Sequence, residues 1–288
     1  MKISLAHLPE DKQQEIQSIT EAIVQLVKPE MVILFGSYSR GDWVEDRHIE
    51  DGILVEYKSD YDILVVTTKP QDMPFGLGKE VRRKIKRAEH LQTTPHIIFH
   101  DIKFLNTALE EGQYFFADIV KEGTMLYNTG NYQLASAKEL SPEQRANNAK
   151  LYYDTWFKMA DEFLIDYNNA FKRGSYPKAA FELHQAAENF YKTIILVFTD
   201  YKSKTHDLDD LNKQIGYADA RFKAAFPNQT GEDKRRFTIL VKAYIDARYK
   251  LGYTVDPDDL YWLAERVKKL KELTELICKE KIGSYDGK

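Results

Sequence analysis

Two carboxylates stand two residues apart at the start of an apolar run. Asp60 and Asp62 flank Tyr61, and the following residues 63–66 are all apolar, as in a buried strand. Side chains at alternate positions of a strand leave the same face, so we expect both carboxylates to point to one place. Adjacent carboxylates repel each other unless a hard cation lies between them, and magnesium takes one or two protein carboxylates together with phosphate oxygens. The pair therefore predicts a Mg²⁺ site.

A glycine and serine turn precedes this pair in the chain. Residues 31–35 are all apolar and predict a short buried strand, which ends at Gly36 and Ser37. The backbone N–H groups of such a turn and the Ser37 hydroxyl can hold a phosphate at the start of a helix, and Arg40 can add positive charge. Each motif alone occurs in many proteins without a ligand, but the two in this order favour a metal–triphosphate site.

The elements that must position these residues divide the chain into an α/β half and a helical half. The first half combines a helix at 10–27 with strands at 31–35, 60–66 and 96–99, and with two short helices within 101–123. From Pro142 onward the strand patterns disappear, and helical patterns cover 142–173, 177–200, 205–218, 234–250 and 257–281. We therefore expect a domain at 1–130, a linker, and an antiparallel helical bundle at 142–282.

Charge and composition restrict the partners of the protein. The net charge of -4 does not indicate a nucleic-acid binder, so a nucleic-acid site would have to be local. Residues 79–92 predict a basic helix, and its run of arginines and lysines at 82–87 could steer a triphosphate or be a solvated surface. The single cysteine, Cys278, has no internal disulfide partner, and neither an export signal nor a membrane span is visible. We expect a cytoplasmic protein that contacts no membrane.

The two motifs together resemble a known family. The segment FGSYSRGD at 35–42, followed by SDYDILVV at 59–66, resembles the signature of the DNA polymerase beta-like nucleotidyltransferases, particularly the minimal and kanamycin nucleotidyltransferase-like branches. The resemblance covers residues 9–128. It implies a mixed-sheet α/β fold, phosphate contacts from Gly36 and Ser37, and Mg²⁺ held by Asp60 and Asp62. The spacer between the motifs is longer than the common pattern and suggests an inserted hairpin.

One feature of this family is missing from the sequence. Many members carry a third acidic residue on a later strand, and here the corresponding run at 96–101 offers His96 instead of a carboxylate. A neutral imidazole could replace the missing group as general base, although it is a poor ligand for magnesium. The alternative is that His96 only lines the cleft.

The helical half resembles a second family. Residues 181–192 and 204–211 look like the higher eukaryotes and prokaryotes nucleotide-binding (HEPN) domain, which implies a homodimer through the helical half. Its ribonuclease members pair an arginine with a histidine a few residues later on the last long helix. Here Arg248 stands at the matching place, but no histidine follows His206, so we do not expect ribonuclease activity. Arg248 is either a nucleotide contact or the partner of a bundle carboxylate.

These resemblances imply an enzyme that transfers a nucleoside monophosphate, AMP from ATP, to a hydroxyl of an unknown acceptor, which is a small molecule, a protein or an RNA. Two other functions stay open. The chain could be a nucleotide- or RNA-binding regulator without turnover, as the missing third carboxylate suggests. It could also be a fused, toxin–antitoxin-like protein that adenylylates its own tyrosines, for which Tyr249 and Tyr253 are candidates beside Arg248.

Overall fold

The computed structural model describes residues 1–50, 53–68, 81, 83–84, 91–93, 95–203, 205–227 and 230–286. It divides into two compact units, residues 1–139 and residues 140–288. The first contains a mixed sheet with helices and the second is helical, so the predicted fold class is confirmed.

A mixed four-stranded sheet forms the centre of the first unit. Its strands are β1 (Met31–Phe35), β4 (Tyr61–Thr67), β5 (Pro95–Asp101) and β6 (Thr124–Asn128), in the order β5-β4-β1-β6. Strand β4 pairs parallel with β5, whereas β1 is antiparallel to both β4 and β6. Because β1 and β4 are central, their residues are almost all buried, which explains their uninterrupted apolar sequences.

The order of the strands brings the two sequence motifs together. Phe35, the last residue of β1, is opposite Asp62 in the antiparallel pair. On the other side of β4, Asp62 is the register partner of His96 in the parallel pair. The turn after β1, the carboxylate on β4 and the histidine on β5 therefore lie in one row across the sheet.

Helices and a hairpin surround this sheet. Helix α1 (Glu10–Val27) buries Ile16, Ile19 and Ile23, as its helical spacing predicts. The short helix α2 (Gly36–Arg40) follows β1, and the hairpin of β2 (Glu45–Glu50) and β3 (Ile53–Lys58) occupies the long spacer, as predicted. Helices α3 (Ile102–Glu111) and α4 (Tyr114–Glu122) match the two predicted helices.

Two details of the first unit differ from the sequence predictions. Strand β6 was not predicted, because only three apolar residues follow Thr124, and such a run forms a strand only when a neighbour such as β1 offers its hydrogen bonds. Of the basic helix predicted at 79–92, residues 81, 83 and 84 are helical and 91–92 are not, and the rest of it, including Arg87, lies outside the described residues.

The second unit contains five helices in its described part. They are α5 (Pro142–Lys172), α6 (Tyr176–Thr199), α7 (Leu208–Ala218), α8 (Gly231–Tyr249) and α9 (Pro257–Asp286), with a 3₁₀ turn at Ala220–Ala224. Helix α6 contacts α5, α7, α8 and α9 and is buried on most sides, so it forms the centre of the apolar core. None of the helices that the structure describes is long and apolar enough to cross a membrane.

Candidate active site

The turn of the first motif lies against the second motif at Gly36 and Asp62. Gly36 has a φ of +72°, a left-handed conformation that side chains rarely adopt. A Cβ atom at this position would overlap Oδ2 of Asp62 and lie 3.2 Å from its Cγ. Glycine is therefore required here for two reasons. It can adopt the backbone conformation, and it has no Cβ atom in the space that the carboxylate occupies.

Asp60 precedes the strand instead of lying on it. Strand β4 begins at Tyr61, so our placement of both carboxylates on the strand was wrong by one residue. Among the described residues, strand pairing stops at Tyr61, because β1 ends opposite Asp62 and the register with β5 begins at Tyr61 and Pro95. Tyr61 is fully buried, whereas Asp60 and Asp62 are both partly exposed.

His96 lies beside Asp62, as its place on the next strand suggested. Its Nδ1 is 3.0 Å from Oδ1 of Asp62, and the two side chains are 24% and 18% exposed. In this pair the imidazole N–H donates to the carboxylate, which holds one oxygen of Asp62 while the other faces Gly36. The contact restrains the rotation of the carboxylate.

The predicted phosphate-binding residues differ in what they contact. Ser37 is half-buried, and its hydroxyl makes no hydrogen bond to any residue that the structure describes. The Arg40 side chain is 45% exposed, and its Nε donates to Asp42 over 3.0 Å. A phosphate contact by Arg40 would have to compete with this ion pair, so Ser37 is the better placed of the two.

The carboxylates in this region are of the kind that could hold a magnesium ion. Magnesium keeps several waters and takes one or two carboxylates together with phosphate oxygens, and Asp60 and Asp62 supply that number. The Asp62 oxygen that faces Gly36 occupies space that a Cβ atom at residue 36 would need. Within the described ranges, no group of three or more His, Cys, Asp or Glu side chains could hold a metal by itself. Asp60 and Asp62 are therefore the two carboxylates of this region that could take part in holding a metal ion.

A second cluster of polar side chains surrounds the buried Glu188 in the helical unit. Its Oε1 accepts from Lys192 over 2.5 Å and lies 2.9 Å from Nδ1 of His206, while Oε2 is 3.4 Å from Nε2 of His184. Burial alone would raise the pKa of Glu188, but the neighbouring His184 ring and the hydrogen bonds from Lys192 and His206 lower it to about 2. Glu188 is thus a buried carboxylate that accepts hydrogen bonds from Lys192 and His206.

The two histidines of this cluster come from different segments of the helical unit. Nδ1 of His184 is 2.9 Å from the carbonyl oxygen of Leu240 and donates to it. His206 does not belong to helix α7, which begins at Leu208 with the Asp207 side chain as its cap, three residues after the predicted start at 205. Glu188 was not among the predicted site residues, although His184, Glu188 and Lys192 recur at intervals of four residues, which places them on one helix face.

The Glu188 cluster makes the stability of the helical unit pH-dependent. Because the pKa of Glu188 is about 2 in the folded protein, below its ordinary 4.5, the folded state binds fewer protons, and this stabilisation is complete above pH 4.5. It amounts to about 3 kcal/mol and is lost as the pH falls from 4.5 through 2. We expect Glu188→Gln to lower the unfolding free energy at pH 7 by about 2–3 kcal/mol, and the difference from wild type to shrink below pH 4.

This prediction is checked by urea unfolding of both proteins between pH 7 and pH 2.5, followed by the fluorescence of Trp156 and Trp262 in the helical unit. Replacement of exposed Glu143 by glutamine is the control, because we expect little effect at any pH. An equal loss of stability in the Glu188→Gln protein at pH 7 and pH 2.5 would contradict the assignment.

Arg248 lies over aromatic rings at the end of α8. Its guanidinium carbon is 3.9 Å from the centre of the Tyr244 ring and 5.0 Å from that of Tyr249, and its Nε donates to the carbonyl oxygen of Tyr244. The His206 ring is parallel to the Tyr244 ring at 5.7 Å. Arg248 forms no ion pair with a described carboxylate, so the interpretation as a bundle ion pair is not supported by these contacts. Its charge is exposed on an aromatic surface instead.

Comparison with known proteins finds a matching family model for a segment of each unit. Residues 17–131 match the family model for polymerase beta nucleotidyltransferases, and residues 153–280 match that for the HEPN domain, so both predicted resemblances are confirmed. Among solved structures, the nucleotidyltransferase-like protein from Exiguobacterium sibiricum 255-15 matches 94% of this chain and 78% of its own, at 17% identity and a TM-score of 0.29. No curated protein matches the chain.

Proposed function

Since this chain carries a polymerase beta-type nucleotidyltransferase domain followed by a HEPN domain, we propose that it transfers a nucleoside monophosphate, AMP from ATP, to an acceptor hydroxyl. The family of the first domain supports nucleotidyl transfer in general. The observation that carries the finer proposal is the contact of the Asp62 carboxylate with Gly36, because it joins the carboxylate motif to the Gly36-Ser37 turn in a single site.

Each residue of the site has a distinct role in this proposal. Asp60 and Asp62 would hold Mg²⁺, and the Gly36-Ser37 turn would hold the triphosphate, with Arg40 as an additional charge at its edge. When bound, the metal would neutralise the phosphate charge that develops as pyrophosphate leaves. The protein groups would keep the α-phosphate in line with the attacking hydroxyl. Transfer between the two bound reactants then becomes an effectively unimolecular step.

We assign to His96 the role of the general base, which accepts the proton of the acceptor hydroxyl. In the neutral ring, Nδ1–H donates to Asp62 and Nε2 is the basic nitrogen, so His96 combines two functions. It orients the carboxylate, and it supplies a base at the position where relatives carry a third carboxylate. This assignment makes a transferase with only two carboxylates chemically complete.

Replacement of His96 tests this role. We expect His96→Ala to lower kcat about 100-fold, because it removes both the base and the hydrogen bond to Asp62. His96→Asp restores a carboxylate at that position and should recover a large part of the activity. Steady-state pyrophosphate release measures both variants. An alanine variant with wild-type kcat would mean that His96 only lines the cleft.

The proposed function itself is tested with labelled nucleotides. The protein is incubated with each α-labelled nucleoside triphosphate and Mg²⁺, with and without aminoglycosides, RNA and protein acceptors, beside an Asp60→Asn/Asp62→Asn variant. We expect pyrophosphate release with ATP that the variant lacks, together with label on one acceptor class. Tight nucleotide binding without release under every condition would contradict the transferase and favour a regulatory nucleotide sensor.

Self-adenylylation is a second candidate that one observation favours. Tyr249 is 70% exposed and lies beside the Arg248 guanidinium, whereas the Tyr253 hydroxyl is buried. If the acceptor is the protein itself, the label should therefore appear on Tyr249 and be lost in Tyr249→Phe, while Tyr253→Phe should retain it. Mass spectrometry of the labelled protein distinguishes these results. The HEPN domain would in that case be the substrate, and its predicted homodimer would allow transfer between subunits.

A further inference from the structure

Two tyrosines lie on the side of the candidate site opposite its carboxylates, one beside each motif. Tyr38 follows Ser37 directly, and Tyr61 separates Asp60 from Asp62. Both are fully buried, and the centres of their rings are 4.5 Å apart. The phosphate-binding turn and the carboxylate strand therefore touch twice, through Gly36 and Asp62 on one side and through the two tyrosine rings on the other.

Both tyrosine hydroxyls are anchored by carboxylates. The Tyr61 hydroxyl donates to Glu15 over 3.2 Å, and the Tyr38 hydroxyl donates to Glu45 over the same distance. Glu45 is in turn 2.7 Å from Nζ of Lys12, so both connections lead to helix α1. Lys12 and Glu15 are only 4% exposed, which is rare for charged side chains and requires such partners.

Glu15 also reaches the strand that carries His96. Its two carboxylate oxygens accept from the backbone N–H groups of Gln92 and Thr93, at 3.3 and 3.2 Å, just before β5 begins. One side chain of α1 is therefore bonded both to the residue between the two aspartates and to the segment that leads to His96. Three parts of the candidate site, which are far apart in the sequence, are connected to a single helix.

We propose that the hydroxyls of Tyr38 and Tyr61, held by Glu45 and Glu15, are positioning groups that set the distance from the Ser37 turn to Asp60 and Asp62. This inference rests on the proposed function, because it concerns the use of that site. Neither tyrosine touches the reacting groups in this scheme. Loss of a hydroxyl leaves the ring packing in place but frees the turn and the strand to move apart. The affinity for a metal-bound triphosphate then falls.

The test separates a positioning role from a purely structural one. Binding of α,β-methylene ATP with Mg²⁺ is measured by calorimetry for wild type, Tyr38→Phe, Tyr61→Phe and the double variant, and the thermal midpoint is recorded for each. Tyr167→Phe is the matched control, because it removes a buried tyrosine hydroxyl that donates to the Leu260 carbonyl in the helical unit. Tyr167→Phe should lower the thermal midpoint without affecting nucleotide binding.

We expect each single variant to raise the Kd of the Mg²⁺–nucleotide complex about tenfold, and the double variant to raise it by less than the product of the two. Unchanged affinity in Tyr38→Phe and Tyr61→Phe, with midpoints lowered as in the control, would overturn the inference and leave the proposed function intact. Failure of the wild-type protein to bind the complex would overturn both. A Kd raised equally by Tyr167→Phe would show a global effect and also contradict the positioning role.

Discussion

Replacing Asp62 with asparagine is expected to lower kcat for nucleotidyl transfer about 1,000-fold. Asparagine has the same shape as aspartate and can still accept the hydrogen bond from Nδ1 of His96, so the fold and the local contacts should persist. What is lost is the negative charge that the proposed metal requires, at the residue in contact with the Gly36 turn. Initial rates of Mg²⁺-dependent pyrophosphate release measure the effect, and the thermal midpoint should stay within a few degrees.

A matched variant controls for the removal of one negative charge from the same unit. Glu111→Gln changes an exposed carboxylate at the end of α3, so it should keep the wild-type rate. Retention of more than a tenth of the activity in Asp62→Asn would show that this carboxylate does not hold the metal. A comparable loss in Glu111→Gln would point to a general electrostatic effect.

Replacing Gly36 with alanine is expected to lower the transfer rate at least 100-fold by displacing the Asp62 carboxylate. Two costs combine at this position. The left-handed backbone costs about 1–2 kcal/mol for a residue with a Cβ, and the new atom would occupy the place of the Asp62 carboxylate oxygen. The strand is central in the sheet and cannot move easily, so the carboxylate side chain must rotate away from the turn and from His96.

Gly130 offers a control with the same backbone strain and no steric overlap. Its φ is +80°, and a Cβ there would have no neighbour within 4 Å among the described atoms. Gly130→Ala should therefore lower the stability of the protein to a similar extent as the strain in Gly36→Ala, while kcat stays within about twofold of wild type. Equal kinetic losses in the two variants would mean that strain alone, and not the carboxylate, explains the effect of Gly36→Ala.

Much of the fold could be predicted because its signals are local. Apolar runs identified the central strands, and helical spacing with polar boundaries identified α1 and all five helices of the second unit. Errors occurred where long-range hydrogen bonds decide the structure. Strand β6 exists because it pairs with β1, which lies far from it in the sequence. This pairing is not visible in a short stretch of sequence.

In the candidate site, some features follow from local sequence and others depend on long-range contacts. The sequence by itself determined which groups can do the chemistry: Asp60 and Asp62 on either side of a buried residue, a turn with glycine and serine, and a histidine where a carboxylate is usual. The reason is that residue type and spacing along one strand or turn are local properties, and they control charge, hydrogen-bonding capacity and the face on which a side chain lies.

Only the tertiary structure decided how these groups meet. The approach of Asp62 to Gly36 depends on the pairing of β1 with β4, and the contact with His96 depends on the pairing of β4 with β5. The links from Glu15 to Tyr61 and to the start of β5 join residues that are 46 to 78 positions apart. Such contacts arise from packing and strand order, which no local pattern encodes, and they turn two common motifs into a single site.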